Sequence, residues 1–261
     1  MLFDFGWPAC FPMDMKRWKV TCSYDGSSYA GWQRQSNAQG IQQVIEEMLS
    51  KLHHAPIKIC ASGRTDAGVH AIGQVFHFDS DKDIDESHWK MAMNAMLPKD
   101  IRIQKVERVI SDFHARFHAV SKRYDYLISN ETDNPFLQDY MDLISASLDV
   151  AYMQKCSRIF LGTHDFTSFT SAKIDARKSR IKTITKLDVI QEDRCIRILM
   201  EGDGFLRYMV RMIAQTLIEA GKHRLSKEEI QNMLDRKDKQ ACRYKAPACG
   251  LYLVQVYYER K

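Results

Sequence analysis

From Trp18 to Tyr24 the chain alternates: Trp18, Val20, Cys22 and Tyr24 are apolar or aromatic, and Lys19, Thr21 and Ser23 between them are polar. Successive side chains of a strand point to opposite faces, so this period of two predicts a half-buried strand. The loop DGSSYAGWQRQ follows. Ile41, Val44, Ile45, Met48, Leu49 and Leu52 then fall at helical spacing, with Gln42, Gln43, Glu46 and Glu47 opposite, which predicts an amphipathic helix. Strands are expected at Ile57–Ala61, at Gly73–Phe78 and at Ile101–Val109. Between the last two lies a helix over WKMAMNAML, capped by Asp85 or Ser87 and stopped by Pro98. The order strand, helix, strand, strand, helix, strand is the split βαβ, ferredoxin-like pattern.

A second set of elements follows. RYDYLIS (123–129) alternates as a strand, and a helix is expected from Asp149 to Leu161. Strands over Ile181–Gln191 and Cys195–Glu201 are joined at Glu192-Asp193. A long apolar helix, Phe205–Ala220, closes at Gly221. Ser226 and the glutamates after it mark the start of a shorter helix, and Leu251–Tyr258 is a last strand. The expected fold class is α+β: two ferredoxin-like halves with joined antiparallel sheets, flanking helices and a basic cleft between them. The halves are drawn at 16–109 and 110–261, with 1–15 a poorly ordered extension in which Met13 and Met15 are alternative starts. No residue-level repeat relates the halves.

Composition narrows the class. The chain has 261 residues, enough for a sizeable core, and a net charge of +5, which suits an anionic partner. No stretch is long and apolar enough for a membrane span, and the start lacks a secretory leader, so a cytoplasmic protein is expected. The seven cysteines form no C-x-x-C pair and no His/Cys cluster at metal spacing, so reduced thiols and no metal are expected. No Walker loop or dinucleotide fingerprint is present.

Between two expected strands stands ASGRTDAG, residues 61–68. A surface turn uses glycine and aspartate but has no need of Arg64. Asp66 is either a turn aspartate closing an Asx-turn, or a carboxylate at a cleft held ionised by the adjacent guanidinium of Arg64 and able to act as nucleophile or base. Tyr124, in SKRYDY, is either a core aromatic or a platform that stacks a base among the cations Lys122 and Arg123. Arg207 and Arg211 are four apart in an apolar segment and would share a helix face. Buried arginine must be paired or must face a cleft, so Arg211 is either a structural partner or a guanidinium aimed at a carboxylate or phosphate. Basic residues also cluster. Lys173, Arg177, Lys178, Arg180, Lys182 and Lys186 face a single acid, Asp175, and Arg116, Lys122 and Arg123 lie among Phe113, Phe117 and Tyr124. Such runs interleaved with aromatics suit a nucleic-acid surface. His70 has no serine or cysteine nucleophile near it in sequence.

YDGSSYAGWQRQ (24–35), ASGRTDAGVHAIGQVFHF (61–78), DFHARFHAVSKRYDYLI (112–128), HDFTSF (164–169), GFLRYMVRMI (204–213) and EAGKHR (219–224) together resemble the tRNA pseudouridine synthase A (TruA) family. The segment after HDFTSF is short here, and the N-terminal extension has no counterpart in the family pattern. The resemblance implies isomerisation of uridine to pseudouridine at positions 38, 39 and 40 of the tRNA anticodon stem-loop, by a homodimer that holds one tRNA across both subunits. It makes Asp66 the catalytic aspartate, Arg64 the residue that enters the RNA and displaces the base, Tyr124 the active-site tyrosine that stacks on the base and is a candidate for proton transfer at C5, and Arg211 the basic partner of the aspartate. Arg34, Arg116, Lys122 and Arg123 are expected to contact RNA. No cofactor is called for, because one N–C bond is exchanged for a C–C bond within one nucleoside and nothing is oxidised. Attack at C1′, attack at C6 and a glycal route all remain open. So do three other readings: the same reaction on ribosomal RNA, an RNA-binding or folding protein with incidental catalysis, and an N-glycosidase.

Overall fold

A computed structural model describes residues 15–171 and 179–259; Lys173, Asp175, Arg177 and Lys178 of the basic cluster lie outside them, as do residues 1–14. The first half runs β1 (Lys16–Tyr24), α1 (Ile41–His53), β2 (Cys60–Ala61), β3 (His70–Ser80), α2 (Glu86–Met96) and β4 (Ile101–Val109). The second runs β5 (Ser121–Ser129), β6 (Asp142–Leu143), α3 (Val150–Ser157), β7 (Gly162–Asp165), β8 (Ile181–Gln191), β9 (Ile196–Gly202), α4 (Met209–Gly221), α5 (Lys227–Asp235) and β10 (Leu251–Tyr257).

These strands make one sheet in the order β4-β1-β3-β10-β5-β9-β8-β7, with β2 on β3 and β6 on β5. In the first half β1 lies between β4 and β3, and β2 pairs antiparallel with the far side of β3. In the second half β5 lies between β10 and β9, and β8 pairs antiparallel with the far side of β9. Each half therefore has the ferredoxin-like order, as the alternation of elements predicts. The seam is the short parallel pairing of β3 with β10, Tyr252 beside His70 and Leu253 beside Ala71. A single hydrophobic cluster runs through both halves, from Trp18 and Trp89 to Phe160 and Leu217.

The helix caps follow the residue chemistry. Asp85, not Ser87, caps α2, accepting from the backbone N–H groups of Ser87 and His88. Ser226 and Glu229 form the reciprocal capping box of α5. Several boundaries differ from expectation. β2 is only two residues long, Cys60 and Ala61 pairing with His77 and Phe76 on the side of β3 away from β1. The helix expected from Asp149 ends at Ser157 and tightens into a 3₁₀ turn over Arg158–Phe160. α4 starts at Met209, four residues later than expected, because Tyr208 adopts the left-handed conformation (φ 68°), and the left-handed residue after it is His223 (φ 54°) rather than Gly221. β6 and β7 escape a pattern reading because two and four residues are too short to show a period.

Candidate active site

The sheet register sets the site. Tyr24 on β1, Ala71 on β3, Leu253 on β10 and Tyr124 on β5 are successive cross-strand partners over the seam. Residues in register share a face, so the two tyrosines stand on the same side, three strand spacings apart. Both are nearly fully buried. The loop 62–69, which leads from β2 into β3, carries Asp66 to this place.

That loop is held by a buried polar network. The Tyr24 hydroxyl is 2.8 Å from Thr65 Oγ1. Gln74 Oε1 accepts from Ser62 Oγ at 2.8 Å and from the Val75 N–H at 3.1 Å. Its Nε2 donates to the Gly63 carbonyl at 3.1 Å and to the Tyr24 hydroxyl at 3.4 Å. Gln74 is fully buried and all four of its hydrogen-bonding positions are used, so no desolvation penalty is left uncompensated. From outside, Trp32 N–H donates to the Thr65 carbonyl at 3.1 Å. Gly31 (φ 89°) lies so close that a Cβ there would stand 2.7 Å from the Thr65 oxygen and 2.9 Å from the Asp66 carbonyl carbon. The motif AGWQ thus supports the aspartate loop from below, a role that its spacing in sequence does not reveal.

Asp66 is one quarter exposed. Arg207 Nε lies 3.7 Å from its Oδ1, and Arg211 Nη1 lies 3.7 Å from its Oδ2. Burial raises the carboxyl above its ordinary range, and Arg211, Arg207 and Lys245, in that order, oppose the rise. Arg211 is fixed: its Nε donates to the Ala246 carbonyl at 2.7 Å and its side chain is 11% exposed. Tyr124 packs edge-on against Phe205, centroids 5.2 Å apart. Burial first and the Asp66 charge second push its hydroxyl well above the ordinary tyrosine range, so it stays protonated.

The residues singled out in the sequence divide into three groups. Asp66, Tyr124 and Arg211 come together. Arg64 is exposed on the same loop, but the ion pairs of Asp66 are with Arg207 and Arg211; the idea that Arg64 holds the acid ionised is corrected, because neighbours two apart in a turn need not face each other. Arg116 is also exposed, with its guanidinium 5.6 Å from the Phe117 ring centroid.

The remaining three expected RNA contacts have partners within the fold. Arg34 pairs with buried Glu46 at 3.3 Å. Arg123 forms two 2.9 Å bonds with buried Asp125, which Arg197 also holds at 2.8 Å. Lys122 is largely withdrawn from water; its Nζ donates to the Ser62 carbonyl at 2.7 Å. It fills the space beside Gly63, where a Cβ would stand 2.7 Å from Nζ. Gly63 leaves room for the end of this lysine. Burial, with Arg116 and Lys182 nearby, lowers Lys122 to about 8.

Arg207 and Arg211 do not sit on one helix as expected, since Arg207 precedes α4. They converge on Asp66 across Tyr208, whose ring centroid is 4.8 Å from the Arg207 guanidinium, 5.5 Å from that of Arg211 and 4.8 Å from Lys245 Nζ. Lys245 escapes a reading of the sequence: it shares RYKAPACG with Arg243, nothing there sets it apart, and only the loop before β10 brings it here.

The histidines and cysteines have contacts of their own. His70 is structural: it stacks on Tyr252, its Nε2 donates to the Asp139 carbonyl at 2.8 Å, and its Nδ1 accepts from the Gly26 N–H at 3.1 Å. Cys60, His77 and His114 do form a cluster, their ligand-type atoms within 4.8 Å of one another. Sequence spacing hides it because β2, β3 and the segment after β4 each supply one member. Both imidazoles accept backbone N–H groups at Nδ1: His77 from Ala115 at 3.1 Å, His114 from Arg116 at 3.1 Å and from Phe117 at 3.2 Å. Nε2 therefore carries the proton in each, and a hydrogen rather than a lone pair is offered to an ion there. Burial, aided by Arg17 and His114, keeps His77 neutral, lowered to about 4.

Comparison with known proteins gives the family. A sequence model described as tRNA pseudouridine synthase matches residues 21–118 and 157–259. Proteins named tRNA pseudouridine synthase A are similar throughout. The one from Oceanobacillus iheyensis is 43% identical over 247 residues, 94% of this chain and 98% of the relative. That from Listeria welshimeri is 43% identical over 249 residues, 94% and 100%. That from Bacillus subtilis is 41% identical over 246 residues, 93% and 99%. With a family match over most of its length, and with relatives of this similarity end to end, the chain belongs to the tRNA pseudouridine synthase family.

Proposed function

We propose that this enzyme isomerises uridine to pseudouridine in tRNA, at positions 38, 39 and 40 on the 3′ side of the anticodon stem-loop, and works as a homodimer that holds one tRNA across both subunits. Membership of the family supports the reaction and the tRNA substrate. The observation that carries the mechanism is the convergence of Asp66 with Arg211 and Tyr124 at the seam of the sheet.

The target uridine must leave the stack, at a cost of a few kcal/mol that phosphate contacts offset. Exposed Arg64, on the same loop as the aspartate, is the residue placed to fill the gap it leaves. Tyr124, protonated and braced by Phe205, offers a ring for the extruded base. The ionised Asp66 carboxylate is the nucleophile or base. The N1–C1′ bond breaks, the uracil turns, and C5 bonds to C1′. C5 then loses its proton and N1 gains one, so atoms balance within the nucleoside. Arg211, fixed by the Ala246 carbonyl, opposes the effect of burial and keeps the acid usable at neutral pH. It is a positioning residue, and an Arg211→Met variant with full turnover would remove that role.

The test is incubation with unmodified anticodon stem-loop transcripts, mapping pseudouridine by carbodiimide and primer extension, with Asp66→Asn in parallel. Product confined to the 3′ side of the loop, absent with the variant, is expected. Product elsewhere moves the substrate, and product with Asp66→Asn overturns the role of the aspartate. Light scattering of the free protein reads the dimer.

A further inference from the structure

The charge around Asp66 is unbalanced. One carboxylate faces Arg211, Arg207 and Lys245, leaving two positive charges over when the acid is ionised. The three cations are not equivalent. Arg211 is buried and tied to the backbone. Arg207 is 53% exposed, its contact with Asp66 is long at 3.7 Å, and its Nη2 donates to the Tyr208 hydroxyl at 3.0 Å. Lys245 is exposed and lies against the same ring. Tyr208 is therefore a post between two exposed cations. It is fixed by its left-handed backbone, and the Arg207 carbonyl before it accepts from Ser171 N–H at 3.0 Å and from Thr170 Oγ1 at 3.2 Å.

Building on the reading of Asp66 as the reacting acid, we propose that Arg207 and Lys245, spaced by Tyr208, form a clamp for a phosphodiester flanking the extruded uridine. Two cations beside one carboxylate reject a second anion far less than the acid alone would. A phosphodiester carries one negative charge, and Arg207 presents a planar fork that suits its two non-bridging oxygens, with Lys245 as a point charge beside it. The clamp would hold the sugar of the target nucleotide, and with it C1′, against Asp66.

The experiment uses the full chain, as wild type and as Arg207→Met/Lys245→Met, with a stem-loop carrying either a normal or an uncharged methylphosphonate linkage next to one target uridine, on each side in turn. Both kcat/KM and Kd are measured over a range of salt. With wild-type protein, one of the two neutral linkages is expected to cost about tenfold or more. With the double variant the same linkage is expected to cost nothing further. The variant's log Kd should also depend less steeply on log salt, by about 0.7 for each single-strand phosphate that the protein no longer neutralises. If the neutral linkages weaken wild type and variant equally, or if the salt slopes coincide, the clamp is overturned. If Arg207 serves only as a partner of Asp66, the variant will move the acid limb of the pH profile and leave the salt slope alone. Because Kd is read along with turnover, the clamp is tested even on a stem-loop the enzyme does not modify, which separates its failure from failure of the proposed activity.

Discussion

Gly31→Ala tests whether the AGWQ segment positions the aspartate. The substitution adds one methyl group, whose carbon would stand 2.7 Å from the Thr65 carbonyl oxygen and 2.9 Å from the Asp66 carbonyl carbon. Ordinary contact needs about 3.4 Å or more between such atoms, so one backbone must move by roughly half an ångström or more. Neither side can swing away, because both are main chain and the Trp32 N–H bond to the Thr65 carbonyl ties them together. The residue is also at φ 89°, which alanine adopts at a cost of about 1–2 kcal/mol. With the steric shift the stability loss should be about 2–4 kcal/mol. Misplacing a reacting group by 1 Å can cost about a hundredfold, so half that displacement should lower single-turnover pseudouridylation about tenfold. RNA affinity, which depends on surface cations, should change little. The assays are urea denaturation, filter binding and tritium release from stem-loop RNA labelled at C5. Gly204→Ala is the control, because a Cβ there meets nothing nearer than 3.9 Å. A Gly31→Ala enzyme with wild-type rate and stability would refute the claim that this contact sets the loop.

Three further outcomes are expected. Asp66 is raised by burial, so the folded state favours its neutral form and its contribution to stability falls as pH rises through the folded value. Asp66→Asn should therefore raise the urea midpoint at pH 7–8 while abolishing turnover, and the gain should vanish at pH 3; a lower midpoint at neutral pH would contradict the burial argument. Lys122 is lowered to about 8, so the folded state binds fewer protons than the unfolded one between there and the ordinary lysine range. Wild-type stability relative to Lys122→Met should rise from pH 8 to pH 10, by about 1 kcal/mol or more, and a difference that is flat in pH would refute the shift. Ser226→Ala removes one arm of the α5 capping box and should cost about 1 kcal/mol in denaturation with no change in rate; loss of activity at equal folded fraction would link α5 to the site.

The sequence by itself determined the order of the longer elements, because burial of one face imposes a period of two or of 3.6 on any strand or helix long enough to show it. It therefore carried the ferredoxin-like order of both halves, and the capping box of α5, which lies within four consecutive residues. It also marked Asp66 and Arg211 as residues that local context does not fully explain, whereas Tyr124, ordinary in a strand, was picked out by the family resemblance. The tertiary structure alone decided how charges pair. Arg64 is two residues from Asp66 yet is not its partner, whereas Arg207, Arg211 and Lys245 reach it from more than a hundred residues away. It likewise gave Arg34, Arg123 and Lys122 partners within the fold that the sequence does not announce, and it assembled Cys60, His77 and His114 from three separate segments. The physical reason is the same each time. Local patterning depends on which face of an element is buried, and nearby residues record that. Coulombic and hydrogen-bonded partners depend on distance in space, which here is set by the parallel seam of β3 with β10, a pairing of two residue positions that no local pattern announces.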